Sequence, residues 1–140
     1  MKFEELTIAA FADELASNSP EPGGGSVAAL CGVMAAGLTS MVGSLTVGRE
    51  KFKANEAQMQ KILAESEALR AKFTKLMNDD TAAFNTFMDA LHLPKGTDEE
   101  KAARKTAMAE ATKATTEVPL VTLETCADIL KLSVVAARIG

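Results

Sequence analysis

The sequence predicts an all-α protein, an antiparallel bundle of long helices. Apolar residues recur every three or four positions along most of the 140 residues, and no stretch alternates with the two-residue period of a half-buried strand. The segments between the periodic stretches are short, and none has the composition of a flexible linker. A chain of this length is expected to form one domain, residues 1–140, with a substantial core.

The first helix is predicted between residues 3 and 17. Ile8, Phe11 and Leu15 have helical spacing, and Thr7 is a plausible N-cap. We expect this helix to end before the turn-forming residues 18–20.

A glycine-rich segment follows, with the sequence Pro22-Gly23-Gly24-Gly25-Ser26. Because glycine in a helix interior costs backbone entropy, the three glycines predict a tight loop that a ligand or another backbone approaches closely. Ser26 is expected to be the N-cap of the next helix, which covers residues 27–47.

The helix over residues 27–47 has two different faces. We expect the large apolar residues to fill the core, namely Val27, Leu30, Met34, Leu38, Met41 and Leu45. The opposite face is small, and consists of Ala28, Gly32, Ala35, Thr39, Gly43 and Thr46. Small residues let a second backbone or a flat ligand come close.

This segment is long enough to cross a bilayer. Its internal glycines and hydroxyl residues, and the absence of Trp and Tyr from the chain, favour a buried helix of a soluble bundle instead. No membrane partner is therefore expected.

Two longer helices complete the predicted bundle. The first covers residues 50–91, and a short connector leads to Thr97 and Glu100, which have the spacing of a capping box. A second long helix begins there. Pro119 lies inside its pattern and is expected to kink or break it.

Asp80 interrupts an apolar stripe of the helix over residues 50–91. The stripe consists of Leu69, Phe73, Leu76, Asp80, Phe84, Phe87 and Leu91. The pattern directs Asp80 inward, and apolar surroundings favour the neutral form of a carboxylic acid, which suits general acid or base chemistry. The structural alternative is an Asp whose carboxylate is satisfied by a hydroxyl or amide of a neighbouring helix.

Charge and residue usage disfavour several other functions. A net charge of −4 gives no excess of positive charge with which to bind nucleic acid. Cys31 and Cys126 are expected to be buried, reduced thiols of a cytoplasmic protein. His92 is the only histidine, so we expect a loop histidine without a special role, and no metal site.

Several motifs resemble the cyclodeaminase/cyclohydrolase family, in order and spacing along the whole chain. They lie in residues 13–17, 20–29, 41–42, 46–49, 80–84 and 93–95, and at Thr97, Glu99, Glu100, Arg104 and residues 118–120. The chain departs from the family at Asn78, where many relatives carry an acidic residue. The family's domain also continues past the position of Gly140 with further helices.

The resemblance implies a helical bundle that forms a homodimer and binds a tetrahydrofolate derivative near the subunit interface, without a metal or redox cofactor. It implies that Asp80 transfers protons. The pterin would be held by the loop residues Gly23, Gly24, Gly25 and Ser26. Candidates for the cations that bind the glutamate tail are Arg49, Lys51, Lys95 and Arg104, although such residues often form only a solvated face.

The favoured activity is formiminotetrahydrofolate cyclodeaminase, and methenyltetrahydrofolate cyclohydrolase is the alternative. A partial, non-catalytic helical module that dimerises also stays open. Association is expected in each case, because apolar residues near the end of the chain would otherwise be exposed. These residues are Cys126, Ile129, Leu130, Val134 and Val135.

Overall fold

Residues 3–140, described by a computed structural model, form four α-helices and two 3-10 segments. The α-helices are α1 (Ile8–Leu15), α2 (Gly24–Thr46), α3 (Glu56–His92) and α4 (Asp98–Ile139). The 3-10 segments are Phe3–Glu5 and Glu50–Asn55. Every regular element in the described part of the chain is helical, which confirms the all-α prediction.

The three long helices pack side by side. Ser40 of α2 bonds to Ser66 of α3 at 2.8 Å between hydroxyl oxygens, while Ser26 at the start of α2 reaches a residue much later in α3. Helices α2 and α3 therefore run antiparallel. Helix α4 is antiparallel to α3, because Asn55 Nδ2, just before α3, donates to the carbonyl oxygen of Ile139 at 3.1 Å.

Side-chain caps define two of the helix starts, as predicted. The Thr7 hydroxyl accepts from the Ala10 amide at 3.1 Å and begins α1. Thr97 and Glu100 form the complete capping box that begins α4.

The prediction that Ser26 caps α2 is wrong. Helix α2 begins at Gly24 with Gly23 as N-cap, so two glycines lie in its first turn. The Ser26 hydroxyl is buried and directed toward α3.

The expected orientation of α2 is also wrong, because its small face lies inside the bundle. The buried residues of α2 are Ser26, Ala29, Gly32, Ala36, Thr39, Ser40, Gly43 and Thr46. Leu38 is 60% exposed and Leu45 58% exposed, and Met34 and Met41 are exposed as well. Val27 and Leu30 alone among the expected core residues of this face pack partly against the core.

The close approach of α3 explains this orientation. A Cβ on Gly32 would overlap the ring of Phe73, and a Cβ on Gly43 would lie 3.1 Å from the Leu63 Cβ. Phe73 and Met59 of α3 are fully buried. The large side chains of the core therefore come from α3, and α2 supplies the flat surface that they cover.

Helix α4 continues through Pro119. Of the two expected effects of this proline, a kink or a break, the structure therefore excludes the break. Near its end, Leu130 is 65% exposed and Val134 is also exposed, as expected, whereas Ile129 is only 3% exposed and belongs to the core. Cys126 is half-buried. Cys31 is exposed, which contradicts its predicted burial.

Helix α2 is long and apolar enough to cross a bilayer by length and composition alone. The same properties occur in core helices of soluble bundles, and this helix is packed on one side by α3 and α4.

Two glycines of α2 test the packing of its small face. Gly32→Ala is expected to destabilise the fold by about 1–3 kcal/mol, because the added methyl group collides with Phe73. Gly37→Ala is the matched control, since its Cβ would have only Arg70 Cδ nearby, at 3.9 Å, and alanine favours helix by about 1 kcal/mol. Urea unfolding checks both values, and equal stabilities of the two variants would contradict the proposed packing.

Candidate functional site

The start of α2 and the middle of α3 meet at a serine and a carboxylate. The Ser26 hydroxyl donates to Asp80 Oδ2 at 2.8 Å, and the Ser26 Oγ is also 3.4 Å from the Thr81 hydroxyl oxygen. Ser26 is fully buried and Asp80 is half-buried. The bond therefore fixes one carboxylate oxygen and leaves other lone pairs of Asp80 able to accept hydrogen bonds.

Glycine is required where the Asp80 carboxyl group lies against the first turn of α2. A Cβ on Gly25 would lie 2.6 Å from Asp80 Cγ and would overlap Oδ1. By contrast, nothing lies within 4 Å of a Cβ built on Gly23 or on Gly24. The latter two glycines leave the backbone open to a ligand, whereas Gly25 admits the carboxylate.

Backbone N–H groups are also free at this turn. The first helical bond of α2 runs from the Val27 amide to the Gly23 carbonyl at 3.1 Å. The amides of residues 24–26 precede it and have no acceptor within the helix, so they can donate to a ligand oxygen.

A cavity of about 260 Å³ opens beside the serine and the carboxylate. Its lining residues are Pro20, Glu21, Gly23, Gly24, Gly25, Asp80, Thr81, Phe84 and Thr115. Sites for drug-sized ligands occupy about 300–1,000 Å³. The cavity therefore suits one flat ring system with a small substituent, and a longer ligand would extend outside it.

Asp80 lies at the edge of the core and not within it. Phe73 and Leu76, earlier in its stripe, are buried, whereas Phe84 is half-buried and Leu91 is exposed. The stripe emerges from the core at Asp80 because α2 begins there and does not cover the later turns of α3. Asp80 therefore faces the cavity at the edge of the core, and not the interior of the core as expected.

The structure separates Arg49 and Lys51 from this cavity. Both are exposed in the segment that follows α2, and the Lys51 Nζ lies 4.9 Å from the centre of the Phe52 ring. The 23 residues of α2 span about 34 Å. Within one chain, these two cations therefore lie at the opposite end of α2 from the glycines.

Lys95 and Arg104 lie in a different cleft, of about 410 Å³, together with Lys101 and Lys105. The Arg104 guanidinium donates to the Leu91 carbonyl at 3.1 and 3.2 Å and so satisfies the end of α3. Leu91 is eleven residues beyond Asp80, about 16 Å along the helix. This basic cleft is separate from the cavity at Asp80.

Asn78 does not line the cavity. Its amide donates to Glu4 Oε2 at 2.9 Å, toward the start of the chain. The amide at position 78 therefore contributes no group to the lining of the cavity.

Five lining residues were not predicted as site residues: Pro20, Glu21, Thr81, Phe84 and Thr115. Phe84 was expected in the core, and Thr81 simply follows Asp80 in the sequence. Glu21 had a signal, since it is the one charged residue between two prolines ahead of the glycines. For Thr115 the sequence held only an indirect signal. Pro119, four residues later, has no N–H to donate to the Thr115 carbonyl.

The fold and the cavity define a class of protein, a helical bundle with a small cavity between three helices that two carboxylates line. Comparison with known proteins identifies the family. The formiminotransferase-cyclodeaminase family model matches residues 7–140, and the chain therefore belongs to that family.

Individual relatives carry two different names. The chain is 46% identical over 134 residues to a methenyltetrahydrofolate cyclohydrolase of Methylorubrum extorquens, covering 96% of this chain and 64% of the relative. It is 40% identical over 119 residues to the formimidoyltransferase-cyclodeaminase of Sus scrofa, covering 85% of this chain and 22% of that protein. The chain thus spans less than two thirds of the length of either relative.

The fold matches a solved structure as well. The crystal structure of formiminotetrahydrofolate cyclodeaminase from Thermotoga maritima superposes with a TM-score of 0.61 at 24% identity, covering 97% of this chain and 78% of that one. This similarity establishes a shared fold.

Substitution of the two helical glycines tests the contact between α2 and Asp80. Gly25→Ala is expected to lower the free energy of unfolding by about 1–3 kcal/mol, because the methyl group displaces the Asp80 carboxylate. Gly24→Ala has open space at its Cβ and is expected to keep wild-type stability or gain slightly. Thermal and urea unfolding measure the difference, and a Gly25→Ala variant as stable as Gly24→Ala would refute the close contact.

Proposed function

We propose that the cavity at Asp80 performs one-carbon chemistry on a tetrahydrofolate derivative, and that the reaction is hydrolysis of 5,10-methenyltetrahydrofolate. The observation that carries this proposal is the Asp80 carboxylate, held by Ser26 beside glycine amides in a cavity of ring size. The 46% identity to a protein named methenyltetrahydrofolate cyclohydrolase supports the choice of reaction.

The charge of the cavity suits this substrate. Asp80 and Glu21 line it, and no Lys or Arg occurs among its lining residues in the described chain. The methenyl carbon bridges two nitrogens that share a positive charge. A negative cavity attracts such a cation and leaves the half-buried Asp80 in contact with it.

The hydrolysis requires movement of protons, which Asp80 can perform. Water attacks the methenyl carbon while Asp80 accepts a proton from it, and a carbon–oxygen bond forms. The bond from this carbon to N5 then breaks, N5 receives a proton, and the hydroxyl loses its own to become the carbonyl of 10-formyltetrahydrofolate. One proton is released overall.

Cyclodeaminase activity is the second candidate, favoured by the 40% identity to a formimidoyltransferase-cyclodeaminase. Here N10 of 5-formiminotetrahydrofolate attacks the formimino carbon, and ammonia leaves. Asp80 would accept the N10 proton and return one to the departing nitrogen. Both reactions pass through one tetrahedral carbon, so the same cavity serves either, and assays with the two substrates discriminate between them.

Association of two copies would complete the site. The cavity holds only part of a folate, and Arg49 and Lys51 lie about 34 Å away along α2. The exposed apolar residues Met34, Leu38, Met41 and Leu45, here called the α2 stripe, cover the helix between these two ends. Antiparallel pairing of two α2 stripes would bring the cations of one copy beside the glycines of the other.

Asp80→Asn tests the catalytic role. The amide has the size of the carboxylate, so the fold is expected to persist, while kcat falls about 100-fold or more because the general acid–base group is lost. Asp79→Asn is the matched control, since Asp79 pairs with Lys75 on the surface of the same turn. Loss of methenyl absorbance measures the rate, and wild-type turnover by Asp80→Asn would leave Asp80 with a structural role.

Leu38→Glu tests association through the α2 stripe. The variant places a charge in the middle of an apolar interface and is expected to convert the dimer to a monomer, as measured by light scattering. Circular dichroism is expected to show no loss of helix. Lys61→Glu, at an exposed position of α3, reverses a charge away from the stripe and should leave the dimer intact. A wild-type chain that is monomeric at micromolar concentration would contradict this assembly, and an inactive dimer would favour the non-catalytic module.

A further inference from the structure

Glu21 is the second carboxylate of the cavity, and the proposed reaction does not use it. It lies in the loop between α1 and α2, where its amide donates to the Ser19 hydroxyl at 3.3 Å and the Ser19 amide donates to the Ser17 hydroxyl at 3.0 Å. Pro22, which follows, is buried. The loop is thus held in place on both sides of Glu21.

One oxygen of this carboxylate is shielded without a partner. Among residues 3–140, Glu21 Oε1 is buried and accepts no hydrogen bond. A buried acceptor of this kind is costly, and more so when it carries charge. Because Glu21 lines the cavity, a rotation of its carboxyl group would bring this oxygen to a ligand N–H group there.

A second acceptor results from Pro119. Proline has no backbone N–H, so the carbonyl of Thr115, four residues earlier in α4, loses its helical donor. The proline inside α4 therefore removes the helical donor of the Thr115 carbonyl, and Thr115 lines the same cavity as Glu21.

We propose that Glu21 and the Thr115 carbonyl bind a ligand edge that carries adjacent N–H donors. In the proposed substrate, on which this inference rests, that edge is the 2-amino group and N3–H of the aminopyrimidinone ring of the pterin. A carboxylate suits two parallel N–H donors because its two oxygens can accept both. Asp80 then remains available for the one-carbon group, and the α2 amides for the ring oxygen.

Calorimetric titration with 5-formyltetrahydrofolate and with its 2-desamino analogue tests this assignment in the full protein. We expect the wild type to prefer the amino compound, and Glu21→Gln to raise Kd for it about tenfold or more while losing most of that preference. In turnover assays the same variant should raise KM with little change in kcat, since the contact is made equally before and during reaction. Glu14→Gln, on α1 and outside the cavity lining, is the control and should match the wild type.

Pro119→Ala tests the carbonyl separately. The new N–H can bond to the Thr115 carbonyl, so we expect a higher melting temperature together with severalfold weaker binding of 5-formyltetrahydrofolate. A merely structural role would raise the melting temperature and leave Kd unchanged, and that result would overturn the role of Thr115.

The outcomes separate this inference from the proposed function. A wild type that binds 5-formyltetrahydrofolate, with a Glu21→Gln variant that retains the preference for the 2-amino group, overturns the assignment of Glu21 alone. A wild type that binds neither compound overturns the proposed folate function and this inference with it.

Discussion

The close contact between α2 and α3 is the constraint on which the rest of the structure depends. Glycines at positions 25, 32 and 43 let the backbone of α2 lie against Asp80, Phe73 and Leu63. A larger residue at these positions would push the helices apart and uncover the Phe73 ring, which is fully buried. The same contact builds both the core and the cavity.

Polar side chains between the long helices fit this close packing because they bond to each other. Ser40 and Ser66 pair at 2.8 Å, and Thr39 of α2 pairs with Ser133 of α4 at 2.9 Å. Hydroxyl groups this close to apolar neighbours would be costly if unpaired. The pairs also fix the register of the helices, and therefore which residue of α3 faces Ser26.

The sequence alone could predict the helices, because periodicity and caps are local properties. The capping box at Thr97 and the cap at Thr7 lie where the sequence placed them. The buried face of α2 was not predictable by the same reasoning, since hydrophobicity favours burial of Leu38 whereas close helix packing favours Gly32. That choice depends on the shape of α3, which a helical wheel of α2 does not contain.

The candidate site was also predictable only in part. Asp80 was predicted as a site residue because it interrupts an apolar stripe, and the glycines because of their composition. Glu21 adjoins the glycines in the sequence, whereas Thr115 joins them only through tertiary structure. The predicted cations lie away from the cavity within the described chain. Arg49 and Lys51 follow the end of α2 opposite to the glycines, and Arg104 binds the end of α3.

The contact between Gly25 and Asp80 has a consequence for how this protein can evolve. Any side chain at position 25 occupies the space of the Asp80 carboxylate. Mutational paths that enlarge position 25 first must pass through an intermediate in which Asp80 has moved away from Ser26. The two positions are therefore epistatic, and position 25 can take a larger residue only together with a change at Asp80.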